Sequence, residues 1–449
     1  MYKRQVLLQD IAGALGYPLK DKQTLVKAVS TDSRTITPGS LFVALKGERF
    51  DGHDFVGQCL EKGAVAAVVD RSYAGPGAQE KLIRVEDTGR AYLAIAAYYR
   101  ELFNIPLVGI TGSVGKTTTK ELVWSVLSRR FSTHKTPANL NNEVGLPATL
   151  LQMDSTTEAA VIEMGMSGFG EISLLSRTAK PTIGIITIIG VSHIETLGSR
   201  ENILKAKLEL CEGIGRGGLL IVNGDDDLLR TVQPPEGVRL RRYGIDCGDA
   251  DIIAKDIHTD GEGTAFTIRY HHRDIEAFVP ALGRHMVLDA LAAFLAAKEL
   301  QMTDDEILAG FSAYMPSGMR QKMTVKDGIT YIEDCYNASP DSMRASLSVL
   351  KERPGRRIAV LGGMLELGDY SLKAHMEIGA FAEKNCDILY LLGDFGAQYM
   401  EGTSGGARLF QDKQSLAEDL KRTLQAGDTV LFKASRGIAL EDVSRAVMK

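Results

Sequence analysis

The chain has few cysteines for its length, no long apolar run and no surplus of positive charge, and each shortage removes a class of protein. Five cysteines (Cys59, Cys211, Cys247, Cys335, Cys386) are scattered through 449 residues without a C-x-x-C pair. An odd number lacking metal or redox spacing fits a reducing cytoplasm and not a disulfide framework. No window supplies the roughly 20 mostly apolar residues of a spanning helix, so no membrane insertion is expected. In the opening stretch MYKRQVLLQDIAGALGYPLK, Gln5, Gln9 and Asp10 interrupt any apolar core, so a signal peptide is not expected either. A net charge of −5 argues against a chain built to coat nucleic acid, which needs a strongly basic face. Repeats and low-complexity tracts are also missing.

What is present is an α/β rhythm. The length suits about three domains at roughly 150 residues each. From 1 to 104, strand-like runs such as SLFVAL and AVAAVVD alternate with helical stretches, separated by turn signals. From 105 to 314 come the near-continuous apolar runs LVGIT, AAVIEMG, TIGIITIIG and GLLIVNG, each followed by a helical or polar segment. That alternation predicts a parallel sheet covered on both faces. The stretch GTAFTIRYHHRDIEAFVP alternates apolar and polar residues like an inserted hairpin. From 315 to 449 the strand-helix rhythm returns with ITYIED, RIAVLGG, DILYLLG and DTVLFKAS.

The segment LVGITGSVGKTTTKE reads as strand, glycine turn and helix, close to a phosphate-binding loop although Ile110 stands where the strict pattern wants glycine. Leu122, Val123, Val126 and Leu127 recur at helical spacing, which puts the turn at a helix N-terminus, where free N–H groups and the dipole favour an anion. Gly112, Ser113, Val114 and Gly115 would cradle phosphate, Lys116 would neutralise it, and Thr117 and Thr118 open the helix, with Thr117 where such loops hold Mg²⁺. Glu163 ends a strand and is suited to the same metal; His193 follows another strand toward the same edge. By residue type alone, Lys205 and Lys207 read as solvated helix lysines behind the N-cap Ser199. Asp334, Tyr336 and Asn337 occupy a turn that composition alone would explain, with Arg320 shortly before. Lys433, Ser435 and Arg436 form a cationic group suited to a carboxylate or phosphate, or simply a surface turn.

TGSVGKTTTKE, NLNNEVGLPATLL, VIEMGMSGFGEI, HIETLGS, PSGMR, DCYNASPDSM, GGMLELG and FKASRG, in this order, resemble the Mur ligases, and most closely the MurF type, over nearly the whole chain. The resemblance implies three domains: 1–104 for a UDP-sugar-peptide, 105–314 as a central P-loop ATPase domain, and 315–449 as a Rossmann-like domain for the incoming amine. It implies an ATP-dependent ligase that joins D-alanyl-D-alanine to UDP-N-acetylmuramoyl-tripeptide through an acyl phosphate, as a monomer. Thr117 and Glu163 would bind Mg²⁺, His193 a second metal, and Lys207 would be carbamylated, since its spacing matches and that of Lys205 does not. Arg320, Asp334, Tyr336, Asn337 and Asp289 would serve ATP, Lys433, Ser435 and Arg436 the acceptor, and Ser33 and Arg34 the UDP end.

The chain departs from the family at Ile188, where Asn is usual, and at Met286 and Asp289, where the family has H-N-x-x-N. It departs again at Ser339 in place of Asn and at Gly363 in place of Asp. A paralogue or a folylpolyglutamate-type ligase joining another amine to another carboxylate is the alternative. A GTPase switch is disfavoured, because no N-K-x-D motif is found.

Overall fold

Short apolar runs, buried from end to end, set the frame of the computed structural model, which describes residues 6–19, 23–316 and 318–449. Met1–Gln5, part of the stretch judged to lack a signal peptide, and Ser317 of PSGMR lie outside the described residues.

Leu107–Thr111, Ala159–Glu163, Ile183–Ile186 and Leu219–Asn223 pair in parallel at the heart of a nine-stranded sheet. Leu107–Thr111 lies between Ala159–Glu163 on one side and Ile183–Ile186 on the other, so the chain reverses its direction of travel across the sheet there. Ligand sites of open parallel sheets form at such a switch, beyond the strand ends. The stretch expected as an inserted hairpin, Thr264–Tyr270 with Arg273–Val279, pairs antiparallel and extends this same sheet through Ile252–Thr259. One edge of the expected parallel sheet is therefore mixed.

Alternate side chains of one strand divide between two cores. Val108 and Ile110 pack with Leu122, Val123, Val126, Leu127 and the helix Arg284–Glu299. Leu107 faces the opposite way, into a cluster shared with Ile172, Leu175 and Ile203. That cluster continues into a four-stranded parallel sheet spanning 28–85 through Leu41, Val43, Val68 and the helix Thr88–Glu101. Buried Arg100 stitches the seam by donating to the carbonyls of Phe103, Ile105 and Ala179. The third sheet has five parallel strands, among them Ile329–Asp334, Arg357–Leu361 and Thr429–Lys433, with Lys322–Lys326 antiparallel at its edge. Among the described residues no helix is long and apolar enough to cross a membrane.

Candidate functional site

Between the nine-stranded sheet and the six-stranded third sheet lies a cleft of about 460 Å³. The phosphate loop, Glu163, His193 and Asp289 line one wall, and Arg320, Asp334, Tyr336, Asn337 and Lys433 the other. Lys207, Ser435, Arg436, Ser33 and Arg34 do not line it.

The loop can be tight because of glycine. Gly112 has φ of 153°, and a Cβ there would lie 1.8 Å from Thr187 Oγ1. Gly115, in the left-handed region, caps the helix Lys116–Leu127. The Lys116 ammonium donates to the Gly112 carbonyl at 2.9 Å, and burial pulls its pKa down against the opposing charge of Glu163. The Ser113 hydroxyl is buried without a hydrogen-bond partner among the described residues. A donor set of free amides, an ammonium and an unused hydroxyl is what a polyphosphate needs.

Thr117 Oγ1 donates to Glu163 Oε2 at 2.9 Å, and Asn141 Nδ2 donates to Glu163 Oε1 at 2.8 Å. A hydroxyl and a carboxylate side by side at a phosphate loop match the few hard oxygens that Mg²⁺ takes from protein when phosphates supply the rest. No group of three or more His, Cys, Asp and Glu that could hold a metal unaided occurs among the described residues. His193 adopts φ of 63° after the neighbouring strand, and its Nδ1 stands 3.0 Å from Glu366, in the loop that follows the third sheet's strand Arg357–Leu361. That bond holds the Glu366 carboxyl below its usual range.

The reading of both helix lysines as solvated fails for one of them. Ser199 caps the helix Arg200–Leu208 as expected, and Lys205 is exposed, but Lys207 is buried and makes no hydrogen bond or ion pair among the described residues. The helix turns about 100° per residue, so a spacing of two sends the side chains to nearly opposite faces. Desolvation, with Lys116 nearby, pushes the Lys207 pKa well below that of an ordinary lysine.

On the facing wall the Arg320 guanidinium lies over the Tyr336 ring at 3.7 Å. Asp334 accepts from Lys433 at 2.5 Å and from Ser346 at 2.6 Å, and Lys433 also donates to the Asn337 carbonyl. Ser435 Oγ accepts from the Leu365 amide and donates to the Ala338 carbonyl. Of the three residues grouped for the acceptor, Arg436 alone keeps most of its side chain in solvent, while bonded to Glu441 at 2.8 Å. Asp289 accepts from Thr119 at 2.6 Å, and burial lifts its pKa to about 7. Ser33 and Arg34 sit in the turn between Ala28–Ser30 and Ser40–Val43 of the four-stranded sheet, where Lys62 donates to the Ser33 carbonyl and Arg34 pairs with Asp32.

Several departures have local explanations. Ser339 caps the helix Pro340–Lys351 in a capping box with Ser342, and Ser and Asn are near equals at that position. A Cβ on Gly363 would meet the Phe395 ring at 2.3 Å, a ring that stacks on His375. Ile188 acts through its backbone, accepting from the Ser113 amide. Met286 packs in a core.

Sequence reasoning missed three residues. Glu366 lay in a quoted motif without a role. Asp341 packs so close to Gly190, two residues before Ser192, that a Cβ at Gly190 would come within 2.1 Å of its carboxylate. Lys120 is buried beside Glu163, and the signal that could have found it is a second lysine four residues past Lys116 on one helix.

Three family models match the chain: "Mur ligase family, catalytic domain" over 25–100, "Mur ligase middle domain" over 110–297, and "Mur ligase, glutamate ligase domain" over 319–436. The UDP-N-acetylmuramoyl-tripeptide--D-alanyl-D-alanine ligase of Bacillus subtilis is 39% identical, over 100% of this chain and 99% of that protein. A crystal structure of MurF from Acinetobacter baumannii superposes with a TM-score of 0.92 at 32% identity, covering 100% of both chains. MurF ligase from Thermotoga maritima in complex with ADP gives 0.87 at 29% identity, covering 95% of this chain and 98% of that one.

Proposed function

The chain belongs to the Mur ligase family, and from that premise we infer that it is an ATP-dependent, ADP-forming ligase that adds D-alanyl-D-alanine to UDP-N-acetylmuramoyl-tripeptide. The product is a peptidoglycan precursor, so the activity serves cell wall biogenesis and, through it, cell shape and division. The observation that carries this reading is the cleft itself: a phosphate loop with Thr117 and Glu163 on one wall faces Arg320 and Asp334 on the other, within similarity that runs the full length of the chain. That length, N-terminal sheet included, sets aside the folylpolyglutamate-type alternative.

The chemistry follows from charge. A carboxylate is a poor electrophile and repels ATP. Lys116, the helix N-terminus and Arg320 offset negative charge while the γ-phosphate passes to the sugar-peptide carboxylate. The acyl phosphate then loses phosphate to attack by the dipeptide amine. Mg²⁺, which Thr117 and Glu163 would hold, supplies further charge at the phosphates. Closure of the cleft walls keeps water from the activated carboxyl.

The finer assignments are readings of the same kind. Residues 1–104 would hold the UDP end through Ser33 and Arg34, 105–314 ATP, and 315–449 the acceptor, with Arg436 presented to solvent to meet a carboxylate. Asp289, Tyr336 and Asn337 would serve the nucleotide and His193 a second metal. Lys207 would carry a carbamate. Burial favours its neutral amine, which is the form that adds to CO₂ to give an anionic oxygen ligand and one released proton. A place in the reducing cytoplasm accords with the scattered free cysteines, and the chain would work there as a monomer.

The test is phosphate release with UDP-N-acetylmuramoyl-tripeptide and ATP, with and without D-alanyl-D-alanine. Release that requires all three is expected. Release indifferent to the dipeptide would refute the acceptor assignment.

A further inference from the structure

Lys120 is charged, lies on the helix Lys116–Leu127, and has a side chain with no exposure to solvent. Burying an ammonium costs several kcal/mol unless its three protons and its charge are met. Two protons are met by carbonyls of one loop, Thr136 at 2.9 Å and Ala138 at 3.1 Å. Two carboxylates share the rest, Glu121 at 3.2 Å and Glu163 at 3.7 Å. Glu121 has a cation of its own, since Lys135 binds its other oxygen. The charge left for Lys120 to balance is that of Glu163.

The loop that Lys120 grips also acts on Glu163. Thr136 Oγ1 accepts from the Glu163 amide at 2.9 Å, and three residues past Ala138 the Asn141 side chain donates to Glu163 Oε1. Ala138 has φ of 47°, a conformation that costs an alanine about 1 kcal/mol or more. Its carbonyl bond to Lys120 helps hold that conformation. One ammonium therefore fixes Glu163 directly and through the loop that clamps its other oxygen.

We propose that Lys120 is a positioning residue for the divalent-cation site: it sets the Glu163 carboxylate and the Asn141 loop so that Glu163 and Thr117 present their oxygens together to one metal. Its side chain is not among those that line the cleft. This rests on the reading that Thr117 and Glu163 hold Mg²⁺.

The test measures Mn²⁺ binding by electron paramagnetic resonance on the full chain with ADP and without turnover, in wild type, Lys120→Gln, Lys120→Met and Glu163→Gln. ADP affinity in EDTA and the KM for D-alanyl-D-alanine are measured alongside. Loss of an outer partner of a metal ligand costs about ten- to a hundredfold in metal affinity. Both Lys120 variants should weaken Mn²⁺ by about tenfold or more, with ADP affinity in EDTA and the dipeptide KM unchanged. Unchanged Mn²⁺ binding in a folded Lys120 variant, with Glu163→Gln still weakened, overturns the proposal alone. Unchanged binding in Glu163→Gln overturns the metal reading beneath it. Loss of folded protein in both Lys120 variants assigns the residue to structure only and also overturns the proposal.

Discussion

His193 and Glu366 meet at 3.0 Å across the seam between the nine-stranded and six-stranded sheets. The Glu366 side chain is more than half exposed, and so exposed a side-chain contact is worth at most about 0–1 kcal/mol. Glu366→Gln should therefore lower kcat by no more than about fivefold. Steady-state turnover of the variant checks this. A loss of several hundredfold would mean that Glu366 takes part in the chemistry.

Lys116→Ala should cost turnover about a hundredfold to a thousandfold, the size of effect seen when one donor to developing charge is removed. Thermal unfolding should change little, because the ammonium's bond is to a loop carbonyl and not into a core. Near-normal rates would remove the phosphate-loop assignment.

Lys207→Ala should be nearly inactive and partly restored by a short carboxylic acid in the buffer, which can occupy the vacated oxygen position. Lys205→Ala should be much milder, since that side chain is exposed. Wild-type rates for Lys207→Ala in CO₂-depleted buffer would return the lysine to a packing role.

The two basic residues of FKASRG should separate. Arg436→Ala should raise the KM for D-alanyl-D-alanine far more than that for ATP, with little change in melting. Lys433→Met strands the buried Asp334 carboxylate, and breaking a buried pair costs about 3–5 kcal/mol, so its melting temperature should fall clearly. Equal melting of the two variants would contradict the pairing.

Asp289 gives a pH signature. Burial raises its folded-state pKa to about 7, above the ordinary carboxylate value of 3.8. Between those values the folded chain holds a proton that the unfolded chain has released, so this residue's contribution to stability falls as pH rises through that window and levels off above it. Asp289→Asn should lose less melting temperature than wild type between pH 5 and 8, read by calorimetry. Parallel curves would show that Asp289 is not the titrating group.

The sheets were legible because their strands are buried on both faces and so read as unbroken apolar runs, and the loop was legible because a strand-glycine-helix junction has few other uses. Side-chain partners on neighbouring strands of one sheet were not. Nothing in FKASRG reveals that Lys433 is spent on Asp334, ninety-nine residues earlier in sequence. Nor does local pattern tell Lys207 from Lys205, since only the third dimension decides which face of that helix is covered. The hairpin was visible in its alternation, but the strand it would join was not, because pairing partners leave no mark on a single strand.

The backbone of the phosphate loop has a bearing on chemical attack. At Gly112 any side chain would run into Thr187, and at Gly190 into Asp341. An inhibitor seated on their neighbours Ser113, Thr187 and Asp341, which line the cleft, would meet a wall whose backbone the chain can hardly alter by a single substitution at either glycine. Resistance would instead have to arise at cleft residues whose backbone is not confined in this way.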